Sequence, residues 1–141
     1  MRILFAAIVS LFYATALASA EGSSQGYGMG GWYEQFDPVI AMYNQSGELF
    51  RITGHCQSAC TMFLGIRNAC VERGARLLFH GSHDRQRRIT EYHNNRVMSH
   101  YNAALRNYLV AGGYTKTLEF HTISGQDMIS KFGYRACPGR A

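Results

Sequence analysis

The sequence predicts an α/β domain with a mainly parallel sheet and crossover helices, on three observations. ELFRITG at 48–54 alternates as a strand does, and a short apolar helical run follows from Ala59 to Leu64. Two more strand patterns, NACV at 68–71 and RLLFH at 76–80, come next around a turn at 72–75. Strand, helix and strand in that order place helices in the crossovers between parallel strands. Finally, Val97, Met98, Tyr101, Ala104, Leu105, Tyr108 and Leu109 recur at helical spacing, which predicts one long helix over 90–110, ended by Gly112-Gly113.

Residues 1–20 read as a secretory signal rather than as part of the domain. One early cation, Arg2, precedes an apolar run from Ile3 to Leu17 and the small-residue pattern Ala18-Ser19-Ala20, so cleavage is expected after Ala20. The run is shorter than the roughly 20 residues of a spanning helix. A periplasmic or secreted location is therefore expected, without membrane association after cleavage. A single domain of about 120 residues would remain. Its start, residues 21–36, includes EGSSQGYGMGG and is expected to be flexible, with the folded domain at 37–141.

Within that domain, Asp37-Pro38 reads as the start of a helix whose apolar face is Val39, Ile40, Met42 and Tyr43, stopping at Ser46-Gly47. Ser124-Gly125-Gln126-Asp127 has capping-box spacing and opens a last helix that Gly133 closes. His93 and His100 lie seven apart on one face of the long helix, and surface or core roles account for them. Asn44-Gln45-Ser46 fits a glycosylation sequon, which matters only in a eukaryotic secretory host.

The net charge of +5 becomes +4 without Arg2, and the one dense basic cluster is Arg85-Gln86-Arg87-Arg88. It reads as a solvated loop and not as a basic face interleaved with aromatics, so no nucleic-acid partner is expected. Cys56, Cys60, Cys70 and Cys137 are an even set in a chain read as exported, which predicts two disulfides among three pairings. Zinc would want two tight cysteine pairs, and Cys70 and Cys137 stand alone. His80-Gly81-Ser82-His83 offers two imidazoles without a third ligand of telling spacing. Neither a metal nor a cofactor is expected.

Ser58 follows a strand and turn at the start of an apolar helix, where free backbone N–H groups and the helix dipole favour an oxyanion. Serine also serves such a position simply as a cap. His80 ends an apolar strand and could open into a cleft as general base for Ser58.

With these residues in view, the chain from about Gly30 to Gly133 resembles the Clp protease and crotonase superfamily, in particular Clp-type serine peptidases and their small exported relatives. Gly54-His55-Cys56-Gln57-Ser58-Ala59 matches the strand and glycine that lead into the family's nucleophile, and Ala75-Arg76-Leu77-Leu78-Phe79-His80 matches the strand that ends on its histidine. The separation of 22 residues between Ser58 and His80 is slightly short for the family, and Gly30-Gly31 stands near the family's interval upstream. The resemblance implies a truncated Clp/crotonase-like fold, Ser58 as nucleophile and His80 as base, with Gly31 and Ala59 N–H groups as the oxyanion hole. The implied acid lies near Thr122-Ile123-Ser124-Gly125, which nominates Glu119, with Asp127 next. It also implies self-association into rings or trimers. Two readings follow: a serine hydrolase acting on a peptide or acyl bond, or a non-catalytic binding or assembly module that keeps the fold.

Overall fold

The computed structural model describes residues 21–140, so the predicted signal segment 1–20 lies outside them. The described residues form a mixed α/β fold built on two small three-stranded sheets. The first has the order β1 (Gly22–Ser23), β2 (Phe50–Ile52), β4 (Ala69–Val71), and both of its pairings are parallel. The second has the order β3 (His55–Gln57), β5 (Arg76–Phe79), β6 (His121–Ser124). There β3 and β5 are parallel, whereas β6 runs antiparallel to β5. The expected sheet is thus two sheets, because the chain turns at Gly54, which sits at φ 56°, so that β2 before the turn and β3 after it pair with different strands. A left-handed residue of this kind is cheap for glycine alone.

Helix α1 (Asp37–Ser46) connects β1 to β2. Phe36 takes the cap position, Asp37 and Pro38 lie inside the first turn, and Gly47 closes the helix in the left-handed region. Of the predicted apolar face only Ile40 is buried, and Met42 is 53% exposed. A 3-10 helix, Ser58–Gly65, joins β3 to β4 and buries Ala59 through Leu64. Phe63 at its centre meets the rings of Phe50 at 4.6 Å and of Tyr27 and Phe36 at 5.2 Å each. Phe36, Phe50 and Phe63 and the side chains of Met62, Leu77, Leu105, Leu109 and Met128 form one continuous core.

The predicted helix over 90–110 is broken in two, α2 (Glu91–Met98) and α3 (Ala103–Ala111). The break has a local cause. Asn102 accepts from the Leu105 N–H at 3.0 Å as a cap, and its amide donates to the Phe132 carbonyl at 2.7 Å. Both bonds hold Asn102 in extended backbone, outside any helix. Thr90 caps α2 through the His93 N–H, and Ser124 caps the last helix, α4 (Gly125–Ser130), through the Asp127 N–H.

The glycine-rich start, expected to be flexible, is built into the first sheet. Gly22 N–H donates to Leu49 O and Ser24 N–H to Arg51 O, each at 2.9 Å. Arg51 is buried, and its guanidinium reaches both Glu21 carboxylate oxygens and the Pro138 carbonyl. Each sheet-edge amide so paired avoids the cost of an unsatisfied buried donor. The other end of the chain is fixed by the Cys70–Cys137 disulfide and by Val71, which donates to Arg135 O and accepts from the Cys137 N–H.

A cross-link spanning 67 residues removes much loop entropy from the unfolded chain. The double substitution Cys70→Ser/Cys137→Ser should lower stability by about 2–4 kcal/mol in urea unfolding. The Cys56–Cys60 bridge closes only four residues, so the corresponding double serine variant should lose less through this entropy.

Candidate active site

Parallel pairing of β3 with β5 sets His55 opposite Arg76, Cys56 opposite Leu77 and Gln57 opposite Leu78. Both strands therefore end at one edge, and the residues that follow, Ser58 and His80, come together there. The Ser58 Oγ and His80 Nε2 atoms are 2.9 Å apart. The carboxyl ends of parallel strands are where α/β sheets ordinarily open their ligand sites.

Ser58 adopts φ 54°, one of two non-glycine residues with positive φ among the described residues. The chain must leave an extended strand and enter a helix within one residue, and this conformation costs on the order of 1–2 kcal/mol for an L-residue. Three contacts hold it. The Thr61 hydroxyl donates to the Ser58 carbonyl at 2.7 Å and accepts from the buried Tyr101 hydroxyl. The Cys56–Cys60 disulfide ties the residue two before Ser58 to the residue two after it. Both cysteines are fully buried in the core and neither lines the cleft, so the bridge braces the turn from beneath and leaves the hydroxyl open.

The third contact comes from the glycine-rich segment. Gln57 donates its N–H to Gly28 O at 2.9 Å and its side-chain amide to Met29 O at 3.0 Å. Gly30, at φ 73°, passes so close that an added Cβ would stand 2.7 Å from Gln57 O and 2.9 Å from the Ser58 Cβ. Gly31 and Ala59 then line the same cleft as Ser58. Ala59 belongs to the first turn of a helix, where N–H groups lack intrahelical partners.

His80 also contacts the Gly81 carbonyl through Nδ1, at 2.8 Å. A carbonyl only accepts, so Nδ1 carries the proton and Nε2 is left to accept from the Ser58 hydroxyl. Burial holds the imidazole below its ordinary pKa of 6.5; the Gly81 bond opposes this, and electrostatic repulsion from His83 and Arg87 adds to the lowering. Phe120 packs edge-on against the ring at 5.1 Å. His80 is thus a neutral imidazole of fixed tautomer at neutral pH.

Glu119, nominated as the orienting acid, does not take that place. It is an exposed residue whose N–H donates to the Thr117 hydroxyl, while Nδ1 of His80 is occupied by Gly81. Asp127 is engaged with Lys131 at 3.1 Å on α4. Among the described residues it is the Gly81 backbone carbonyl that meets Nδ1 and orients the imidazole.

The cleft over Ser58 and His80 has a volume of about 420 Å³. Trp32, Tyr33, Phe79 and Phe120 supply apolar lining, and Thr61, Tyr101, His83 and Arg87 supply polar groups. Volume and lining suit a small-molecule or peptide side-chain site. The basic cluster is exposed, as expected of a solvated loop, and two of its members also reach the site: the Arg85 guanidinium lies 4.5 Å from the Trp32 ring centroid and Arg87 lines the cleft. Trp32, Thr61, Tyr101 and Arg87 were not legible as site residues; a hydroxyl at Thr61, three residues after Ser58, is the one local hint.

The hydroxyl chain at the base of the turn has a measurable signature. Thr61→Val leaves the buried Tyr101 hydroxyl and the Ser58 carbonyl without their partner and should cost about 1–3 kcal/mol. The double variant Thr61→Val/Tyr101→Phe removes the stranded hydroxyl, so it should be less destabilised than the sum of the single variants in chemical unfolding. Comparisons of the chain with protein-family models, with curated proteins and with solved structures found no match.

Proposed function

We propose that this protein is an exported serine hydrolase that cleaves a peptide or acyl bond, with Ser58 as nucleophile and His80 as general base. The observation that carries the reading is the 2.9 Å approach of Ser58 Oγ to a neutral imidazole nitrogen, at the floor of an open cleft. Ser58 Oγ attacks the substrate carbonyl carbon as His80 Nε2 takes its proton. The oxyanion accepts from the Ala59 and Gly31 N–H groups. His80 then gives the proton to the leaving nitrogen or oxygen, and the acyl group stays on Ser58. Water enters, loses a proton to His80 and releases the acid, which restores both residues.

The two disulfides fit a chain that folds in an oxidising compartment, and with the signal-like leader they support a periplasmic or secreted location. The parallel pairing that brings a serine turn beside a strand-end histidine is also what a truncated Clp/crotonase-like fold would supply. A second reading, a binding module that retains the site without turnover, is favoured by one observation: His80 rests on a carbonyl in place of a carboxylate. A carbonyl fixes the tautomer but stabilises imidazolium less than a full charge does.

A fluorophosphonate probe on the oxidised protein separates the two. Labelling of the wild type that is lost in Ser58→Ala and falls by about 10²–10⁴-fold in His80→Ala is expected. A folded wild type that takes no label would leave the binding module standing.

The pH profile of probe labelling gives a further check. Only neutral His80 can accept the proton, and burial lowers its pKa from 6.5, so labelling should rise with pH and reach half its plateau below pH 6.5. A midpoint above that value would contradict the buried, uncharged imidazole.

A further inference from the structure

The segment that follows His80 is folded into a tight, internally satisfied loop. His83 and Ile89 form an antiparallel bridge across it. The Asp84 carboxylate accepts from the Gln86 and Arg88 N–H groups at 2.9 Å each and from Arg88 Nε at 2.8 Å. Asp84 O also accepts from the Arg87 N–H at 3.0 Å. Three of the four charged residues at 84–88 are thereby engaged: Asp84 and Arg88 with each other, and Arg85 over Trp32.

Arg87 is the exception. Among the described residues no carboxylate pairs with it, it lines the cleft beside His80, and it holds φ 62°. Ser58 is the other non-glycine residue in that region of backbone space, so two left-handed side chains border one cleft. Strain of this kind persists only where surrounding contacts enforce it, and here the Asp84 bonds do so. None of the residues that line the cleft is an aspartate or glutamate, so nothing in it offsets the guanidinium. Much of the remaining lining is apolar, with Met29, Trp32, Leu118 and Phe120.

We propose that Arg87 is a specificity residue of the cleft, and that the substrate carries a carboxylate close to the carbonyl attacked by Ser58 with an apolar body against Trp32 and Phe120. The substrate class rests on the hydrolase reading; the anion site itself does not. Arginine presents planar paired donors that match a carboxylate, and the preset loop fixes the backbone from which the exposed Arg87 side chain reaches the cleft.

The chain has one tryptophan, Trp32, which lies in the cleft, so intrinsic fluorescence reports occupancy without turnover. Two measurements make the test. The first compares hydrolysis of p-nitrophenyl hydrogen glutarate with that of its neutral methyl ester. The second titrates Trp32 fluorescence in wild type and in Ser58→Ala with N-benzylglutaramic acid and with its neutral carboxamide.

A preference of about tenfold for the acid in kcat/KM and in binding is expected, from the worth of a charge-assisted hydrogen bond. In Arg87→Gln the ratio of acid to neutral ligand should fall to about one. Arg73→Gln changes the net charge equally at an exposed position that does not line the cleft and should keep the ratio. If neither ester is cleaved but the acid still binds through Arg87, the hydrolase reading fails and the anion site stands. Equal binding of acid and carboxamide in wild type, or a preference that persists in Arg87→Gln, overturns the anion site whether or not the esters are cleaved.

Discussion

The structure turns on the left-handed residue at Ser58. A strand that ends buried in one sheet must become a helix buried against both sheets, with no loop between them, and an L-residue at φ 54° makes that junction. Its cost is small beside the core it permits, for the helix that begins there carries Met62, Phe63 and Leu64 into the centre of the fold. The same conformation lifts the hydroxyl out of the sheet into a cleft. Packing and chemistry therefore ask the same thing of one residue. The disulfide between Cys56 and Cys60 serves both, because it fixes the turn from the core side while the cleft side stays unobstructed.

The histidine is held by less. In a three-residue relay a carboxylate both sets the imidazole tautomer and stabilises the imidazolium that forms during attack. Here the carbonyl of the next residue sets the tautomer, and burial together with the nearby Arg87 cation works against imidazolium formation. The consequence is a base that is fully available at neutral pH but weak. An anionic substrate group paired with Arg87 would offset that cation, so the ligand itself would bring part of what a third residue otherwise supplies.

Much of this was legible in the chain, for identifiable reasons. Ser58 and His80 both stand at sharp changes of pattern, from strand to helix and from apolar strand to glycine, and such junctions survive as local signals. The helix break at 99–102 left no such mark, because α2 and α3 keep their apolar residues on one side and Asn102 reads as an ordinary exposed position until its long-range bonds to the Phe132 carbonyl and the Tyr134 hydroxyl are seen. Glu119 was nominated from its place in the sequence, and place says nothing about where a carboxylate points. Arg87 looked like one member of a solvated cluster. Its place in the cleft lining and its φ of 62° distinguish it from Arg85, which lies over Trp32, and from Arg88, which pairs with Asp84.

The segment 21–36 carries the most instructive misreading. Its glycines suggest flexibility because glycine lowers the cost of many conformations, yet the same property lets backbone pass where no side chain fits. Gly28 and Gly30 are both such crossings, set against His55 O and Gln57 O. The segment is held at its start by Glu21 on the buried Arg51, and further along by Gln57 on Gly28 and Met29. Arg51 in turn joins that start to Pro138 near the other end of the chain. The segment that ends in the cleft wall is therefore anchored at two places, by Arg51 at Glu21 and by Gln57 at Gly28 and Met29. A change at Glu21 or Arg51 would reach Gly31 and Ser58 through the backbone, without altering any residue that touches the cleft.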